Sequence, residues 1–217
     1  MAKEQMIQTI YTHATFGHHL FPVLLSSSPR NLQQHFSCCD IVIHHQMLSL
    51  CKVADSLFIS NSRSACCENL LSQEKITFCI NVSRQQPFPT FQQSQLLRIP
   101  VFDDPSEDLY KYFEHCSDAI EDTIQRGGKC LVYCKNGRSR SATICTAYLM
   151  KHQKLRLKDA FEIVKNARPT AEPNAGFWSQ LQKYEDHLQR QQQRSLSSNT
   201  ISHNKYIDSD YNVGKFL

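Results

Sequence analysis

The stretch Tyr133-Cys134-Lys135-Asn136-Gly137-Arg138-Ser139-Arg140-Ser141 decides how the chain reads. The apolar run Cys130–Cys134 has strand character, and a helix-period segment starts near Ser139 and runs to about His152. Five residues separate Cys134 from Arg140. A turn from strand to helix leaves several backbone N–H groups without intrahelical partners, gathered at the positive end of the helix. Gly137 permits backbone angles that a side chain would block. Residues Lys135, Asn136, Gly137, Arg138, Ser139 and Arg140 therefore read as a cradle for a tetrahedral oxyanion, with Cys134 at its base. A free thiol is only about 3% ionised at pH 7, but a helix N-terminus, an arginine and converging amides favour the thiolate. Arg140 offers a planar fork that matches two phosphate oxygens. Ser141 sets a hydroxyl beside the sulfur, where it either helps to release a phosphorylated cysteine or is a plain helix N-terminal group. Lys135 and Arg138 either steer a phosphate or are exposed loop charges.

Upstream of this loop lie three more strand-like runs, Val53–Ile59, Thr77–Val82 and Leu96–Val101. Leu109, Tyr112, Phe113, Cys116, Ala119 and Ile120 share one helical face, which Ser106 or Asp104 can cap and Gly127-Gly128 ends. Leu157, Ala160, Phe161 and Val164 mark another helix, stopped by Pro169, and a last one begins near Pro173 and buries Phe177, Leu181, Tyr184 and Leu188. Strands alternating with helices predict an α/β fold, a largely parallel central sheet flanked by helices on both faces. In such a sheet the strand ends along one edge converge on one crevice. Asp103, 31 residues before Cys134 at the end of a neighbouring strand, is then placed as a general acid for the leaving group. Asp104 either takes that role or caps the following helix, and Asp103 also reads as a solvated turn carboxylate.

Composition bounds the rest. Hydrophobic residues make up 41% and charged residues 20%, enough to bury a core. No apolar window is long enough to span a membrane, and the basic residues behind the net charge of +4 are scattered rather than clustered as on a nucleic-acid surface. We expect a catalytic domain over 48–190, an N-terminal extension over 1–47 that is poorly ordered or loosely attached, and a disordered polar tail over 191–217, in a stretch that opens with QRQQQR at 189–194. Ten cysteines without a C-x-x-C pair read as free thiols in a reducing compartment; Cys79 and Cys130 read as core thiols, either of which could pair with an oxidised Cys134. The histidine pairs His18-His19 and His44-His45 have no metal-site spacing, Gly127-Gly128-Lys129 lacks the spacing of a nucleotide loop, and Asn81-Val82-Ser83 sits inside a strand, where glycosylation is not expected. No cofactor and no metal is expected.

Cys-x5-Arg-Ser after a strand, the helical run Ser141-Ala142-Thr143-Ile144-Cys145-Thr146-Ala147-Tyr148-Leu149-Met150, and the stretch from Arg168-Pro169 through Pro173-Asn174, Gly176-Phe177 and Gln180-Leu181 closely resemble the dual-specificity protein phosphatases, over roughly residues 50–188. The resemblance implies that Cys134 is a phosphocysteine nucleophile, Arg140 the phosphate clamp and Asp103 the general acid. It implies a phosphorylated protein as substrate, with phosphotyrosine and phosphoserine or phosphothreonine both admitted to a shallow pocket. The chain departs from that family in two places. Tyr133 stands where a histidine usually precedes the cysteine, which implies weaker support for the thiolate and low turnover; Asn136 stands where a small residue is common. A phosphate-binding scaffold with little activity and a phosphatase for a non-protein monoester remain the alternative readings. A monomer or weak dimer, in the cytoplasm and also the nucleus, is expected, with no nucleic-acid or membrane partner.

Overall fold

The computed structural model describes residues 48–90 and 94–210. The expected extension 1–47 and residues 211–217 lie outside the described residues. Five strands form one sheet: β1 (Cys51–Ala54), β2 (Leu57–Asn61), β3 (Phe78–Asn81), β4 (Gln95–Arg98) and β5 (Cys130–Cys134), in the order β1-β2-β5-β3-β4. β5 lies in the middle, parallel to both neighbours, with Leu57 and Phe78 opposite Cys130 and Asn61 opposite Cys134. β4 adds in parallel to β3. The expected single strand Val53–Ile59 is instead two strands: the chain turns at Asp55-Ser56, and β1 runs antiparallel to β2 at the sheet edge. A two-residue turn without Gly or Pro interrupts the apolar run too briefly to show in its composition.

Successive side chains on a strand point to opposite faces, and β5 divides the core accordingly. Cys130, Val132 and Cys134 join the main cluster, built with α3 (Phe113–Gln125), α4 (Arg140–His152), α5 (Leu157–Ala167) and α6 (Ala175–Asp210). Leu131 and Tyr133 face a smaller cluster of Phe58, Ala65, Leu71, Ile76 and Cys79. That second face is covered by two short helices, α1 (Ser62–Ala65) and α2 (Glu68–Glu74), which the sequence pattern did not predict because four and seven residues show no clear helical period.

Two helix boundaries differ from expectation. A 3-10 turn, Tyr110–Tyr112, precedes α3, and neither Ser106 nor Asp104 caps it. The Asp104 carboxylate instead accepts from Ser106 N and Oγ at 2.8 and 2.6 Å, while Leu109 N and Tyr110 N donate to Gln180 Oε1 of α6 at 2.9 and 2.8 Å. The last helix does not stop near residue 190 but continues to Asp210. Beyond Gly176 that segment holds no Gly or Pro, and its Gln, Arg and Lys residues are good helix formers. Asn81 is fully buried, its Nδ2 donating to Gln86 O and Pro87 O, which leaves no place for a glycan.

Candidate active site

β5 delivers Cys134 to the carboxyl edge of the sheet, and α4 begins at Arg140 with Ser139 as its N-cap residue. Between them the loop's carbonyls are turned outward by donors from four separate places. Lys135 O accepts from Ser62 N and Oγ, both at 3.3 Å. Asn136 O and Gly137 O accept from Arg168 Nη2 at 2.9 Å and Nε at 2.6 Å. Arg138 O accepts from Glu172 N at 2.8 Å, and Ser139 O accepts from Thr143 N and Oγ1 at 2.9 Å each. Among the described residues, the N–H groups of Asn136, Gly137, Arg138 and Ser139 donate to no protein acceptor. The loop therefore presents a row of unused donors, the arrangement that binds an oxyanion. Gly137 makes this possible with φ +64°, where a Cβ would stand 2.5 Å from Ser60 O.

Cys134 is fully buried in the main cluster, at the base of the loop, and its Sγ lies 3.2 Å from Ser141 Oγ. The Arg140 side chain is 8% exposed. Its Nη1 donates to Val101 O at 3.3 Å, while its Nε is buried without a hydrogen-bond partner, 3.7 Å from Asp103 Oδ2. A guanidinium N–H left unpaired in the interior costs free energy unless a ligand takes it up. Asp103 keeps a third of its side chain in solvent and accepts from Asn174 Nδ2 at 3.1 Å. The structure thus brings Cys134, Arg140, Ser141 and Asp103 together. It turns Asp104 away toward Ser106, whose hydroxyl and N–H hold that carboxyl below its usual range. Lys135 and Asn136 have exposed side chains and serve the loop through their backbone. Arg138 is exposed as well and pairs with Glu172. The Ser139 hydroxyl accepts from Asn174 N at 3.1 Å.

Tyr133 does not enter this cradle. It lies on the other face of the sheet and donates from its hydroxyl to Pro87 O at 2.9 Å, and burial holds its phenol above the usual value. The expected disulfide candidates are also excluded. Cys130 sits four residues from Cys134 on the same strand, about 13 Å away at ~3.3 Å per residue, whereas a disulfide needs Cα atoms about 4.4–6.8 Å apart. Cys79 faces the opposite cluster. Burial pushes the Cys79 and Cys116 thiols up to about 12 and raises Cys130 and Cys145 as well, so these are inert core thiols. Asn174, Arg168, Glu172 and Ser62 were not recognised from sequence as parts of the site. Only Asn174 carried a local signal, a helix N-cap residue type just before α6. No group of three or more histidine, cysteine or acidic side chains among the described residues could hold a metal ion.

A buried cysteine under unpaired amides, an arginine fork and a nearby carboxylate define a cysteine-dependent phosphatase site. The sequence pattern of the dual specificity phosphatase catalytic domain matches residues 57–187, and the chain belongs to that family. It is 58% identical to human dual specificity phosphatase 28 over 142 residues, 65% of this chain and 81% of that protein. A crystal structure of a Tyr-to-His variant of human DUSP28 superposes with a TM-score of 0.65 at 56% identity, covering 66% of this chain and 98% of the other. A mouse dual specificity phosphatase complexed with zinc tungstate gives a TM-score of 0.65 at 56% identity over 66% of this chain and 91% of the other.

Proposed function

We propose that this phosphatase hydrolyses phosphotyrosine and phosphoserine or phosphothreonine monoesters of proteins through a phosphocysteine on Cys134. The observation that carries the reading is the buried Arg140 Nε, unpaired, in a site whose loop offers four unused N–H donors. The phosphate oxygens are held by these groups, which strengthen their grip as charge develops on the transferring group. The Cys134 thiolate attacks phosphorus; the S–P bond forms, the P–O ester bond breaks, and the leaving oxygen takes the proton of Asp103. Water then attacks phosphorus, the Asp103 carboxylate takes its proton, and the S–P bond breaks to return the thiolate and release inorganic phosphate. The Ser141 hydroxyl donates to the departing sulfur. Tungstate, bound to the mouse relative, is a tetrahedral oxyanion of the kind this cradle suits. The exposed rim at Lys135, Asn136 and Asp103 supports a shallow entrance that accepts short and long phosphorylated side chains.

Turnover is low in this reading, because the Tyr133 hydroxyl is committed to Pro87 O on the far face and, where an imidazole would precede the cysteine, a phenol stands instead. Eight unpaired cysteines among the described residues support a reducing compartment, cytoplasm and nucleus, where the chain acts as a monomer or weak dimer. The test is hydrolysis of an aryl phosphate and of phosphopeptides by wild type, Cys134→Ser and Tyr133→His. Cys134→Ser is expected to abolish turnover, and Tyr133→His to raise it. Activity surviving in Cys134→Ser removes the nucleophile assignment; unchanged turnover in Tyr133→His removes the explanation for slowness.

A further inference from the structure

The start of α6 meets the segment that carries Asp103 at three points. The Asn174 amide donates from Nδ2 to Asp103 Oδ1 at 3.1 Å. Gly176 sits so close to Pro105 that an added Cβ would overlap the Pro105 carbonyl oxygen. One turn on, Gln180 accepts from Leu109 N and Tyr110 N through Oε1 and donates from Nε2 to Glu107 O at 2.8 Å. Asn174 does more than hold the carboxylate. Its own N–H donates to Ser139 Oγ in the phosphate loop at 3.1 Å. Its Oδ1 accepts from Phe177 N at 3.0 Å, and its carbonyl accepts from Trp178 N at 2.9 Å, the pattern of a helix N-cap.

We propose that Asn174 is a positioning residue for the reaction: it fixes the Asp103 carboxyl against the phosphate loop, with α6 as the splint, so that the acid is in place before substrate arrives. The proposal rests on Asp103 being the general acid. The two Asp103 oxygens are divided between neighbours, Oδ1 toward Asn174 and Oδ2 toward Arg140. Without the amide the carboxyl keeps only the 3.7 Å ion pair, which sets no direction for the proton. Because a third of Asp103 is in solvent, the freed side chain rotates outward at little cost. A general acid contributes about 10²–10⁴-fold when placed, and it matters most where the leaving group is a poor one.

The experiment separates these roles by leaving group. Asn174→Ser retains a hydroxyl that can accept from Phe177 N, so the N-cap survives, but it lacks the donor to Asp103. In the full chain, turnover on phenyl phosphate, whose leaving oxygen needs the proton, is expected to fall about tenfold. Turnover on 4-nitrophenyl phosphate, which needs it less, should fall less than about twofold. Gly176→Ala, which displaces Pro105, should give the same split. Equal losses on both substrates, or no loss on either, overturn the proposal. Asp103→Asn run on the same pair tells the two failures apart. If Asp103→Asn shows no leaving-group dependence, the acid assignment itself is wrong; if it does and Asn174→Ser does not, only the positioning role is lost.

Discussion

Gly137→Ala is the sharpest perturbation of the proposed phosphate loop, because its consequences follow from two features of the backbone there. Gly137 has φ +64°, and a Cβ there would stand 2.5 Å from Ser60 O, 2.6 Å from Ser60 C and 2.8 Å from Arg168 Nε. The left-handed conformation alone costs an L-residue about 1–2 kcal/mol. The contact adds to this, because Ser60 cannot give way: it belongs to β2 and is registered against Tyr133 in the middle of the sheet. Ordinary contact begins at 3.4 Å, so the loop itself must retreat by about 1 Å, and a displacement of that size costs on the order of 10²-fold in rate. The moving part also carries the unused amides of the proposed oxyanion cradle, so affinity for a phosphate mimic should fall with the rate. The assay is kcat/KM on an aryl phosphate and binding of inorganic tungstate, with a thermal melt alongside. We expect kcat/KM to drop about a hundredfold and the folded state to lose about 1–2 kcal/mol. A Gly137→Ala protein with kcat/KM within about threefold of wild type and normal tungstate affinity would refute the view that this backbone geometry forms the oxyanion site.

Two further outcomes are expected. Arg168→Ala removes the charge-assisted bonds to Asn136 O and Gly137 O; at ~1.5–3 kcal/mol for a bond to a charged group, partly offset by water at the exposed end, kcat/KM and oxyanion affinity should both fall at least tenfold, measured by the same two assays, and unchanged oxyanion affinity would contradict the role given to Arg168. Glu114 offers a pH-dependent case: burial works to raise its carboxyl, but hydrogen bonds from Lys151 and Tyr184 and the Lys151 charge leave it below its ordinary 4.5. A depressed carboxylate contributes stability that is present above pH 4.5 and is lost as pH falls through the lower folded value. Urea melts should therefore show declining stability in that acid window, and Lys151→Met, which also leaves Asp118 with His152 as its partner, should cost about 1 kcal/mol at pH 7 and flatten the decline; an equally steep acid limb in the variant would contradict the assignment.

The strand Cys130–Cys134, the turn after it and the helix from Arg140 were legible because they are local: an apolar run, a glycine and a helix period lie next to one another in the chain. Cys134, Arg140 and Ser141 share that segment, and Asp103 was reachable from the rule that parallel strands end at one edge. What escaped was non-local or too short. The turn at Asp55-Ser56 hides β1 inside an apolar run. The start of α3 was assigned to a neighbouring cap, while a 3-10 turn precedes it and the N–H groups that open that turn are met by Gln180, 71 residues away for Leu109. The choice between Asp103 and Asp104 could not come from spacing; it comes from Asp104 closing its own turn on Ser106 and Asp103 facing Arg140. Arg168 and Glu172 hold loop carbonyls across a distance in sequence that no periodicity records.

The position of Tyr133 follows from the same pleat that aims Cys134. Adjacent residues on β5 must face opposite sides, so whichever side chain precedes Cys134 lies under the sheet, among Phe58, Leu71 and Cys79, away from the cradle. Its hydrogen-bonded links to the loop pass through backbone. One route is β5 itself, whose Tyr133 carbonyl accepts from Val82 N at 2.8 Å. The other is the 83–87 segment, where Pro87 O takes the phenol hydroxyl and Asn81 Nδ2 together. Arg98 braces the same segment through Ser83 O and Gln86 O, so the connection after β3 is held even without the phenol. Tyr133 therefore adds little to the firmness of that connection that its neighbours do not already supply. The proposed low turnover is to be sought in what a phenol withholds from the loop compared with an imidazole, a second hydrogen-bonding nitrogen and a positive charge, rather than in anything Tyr133 distorts.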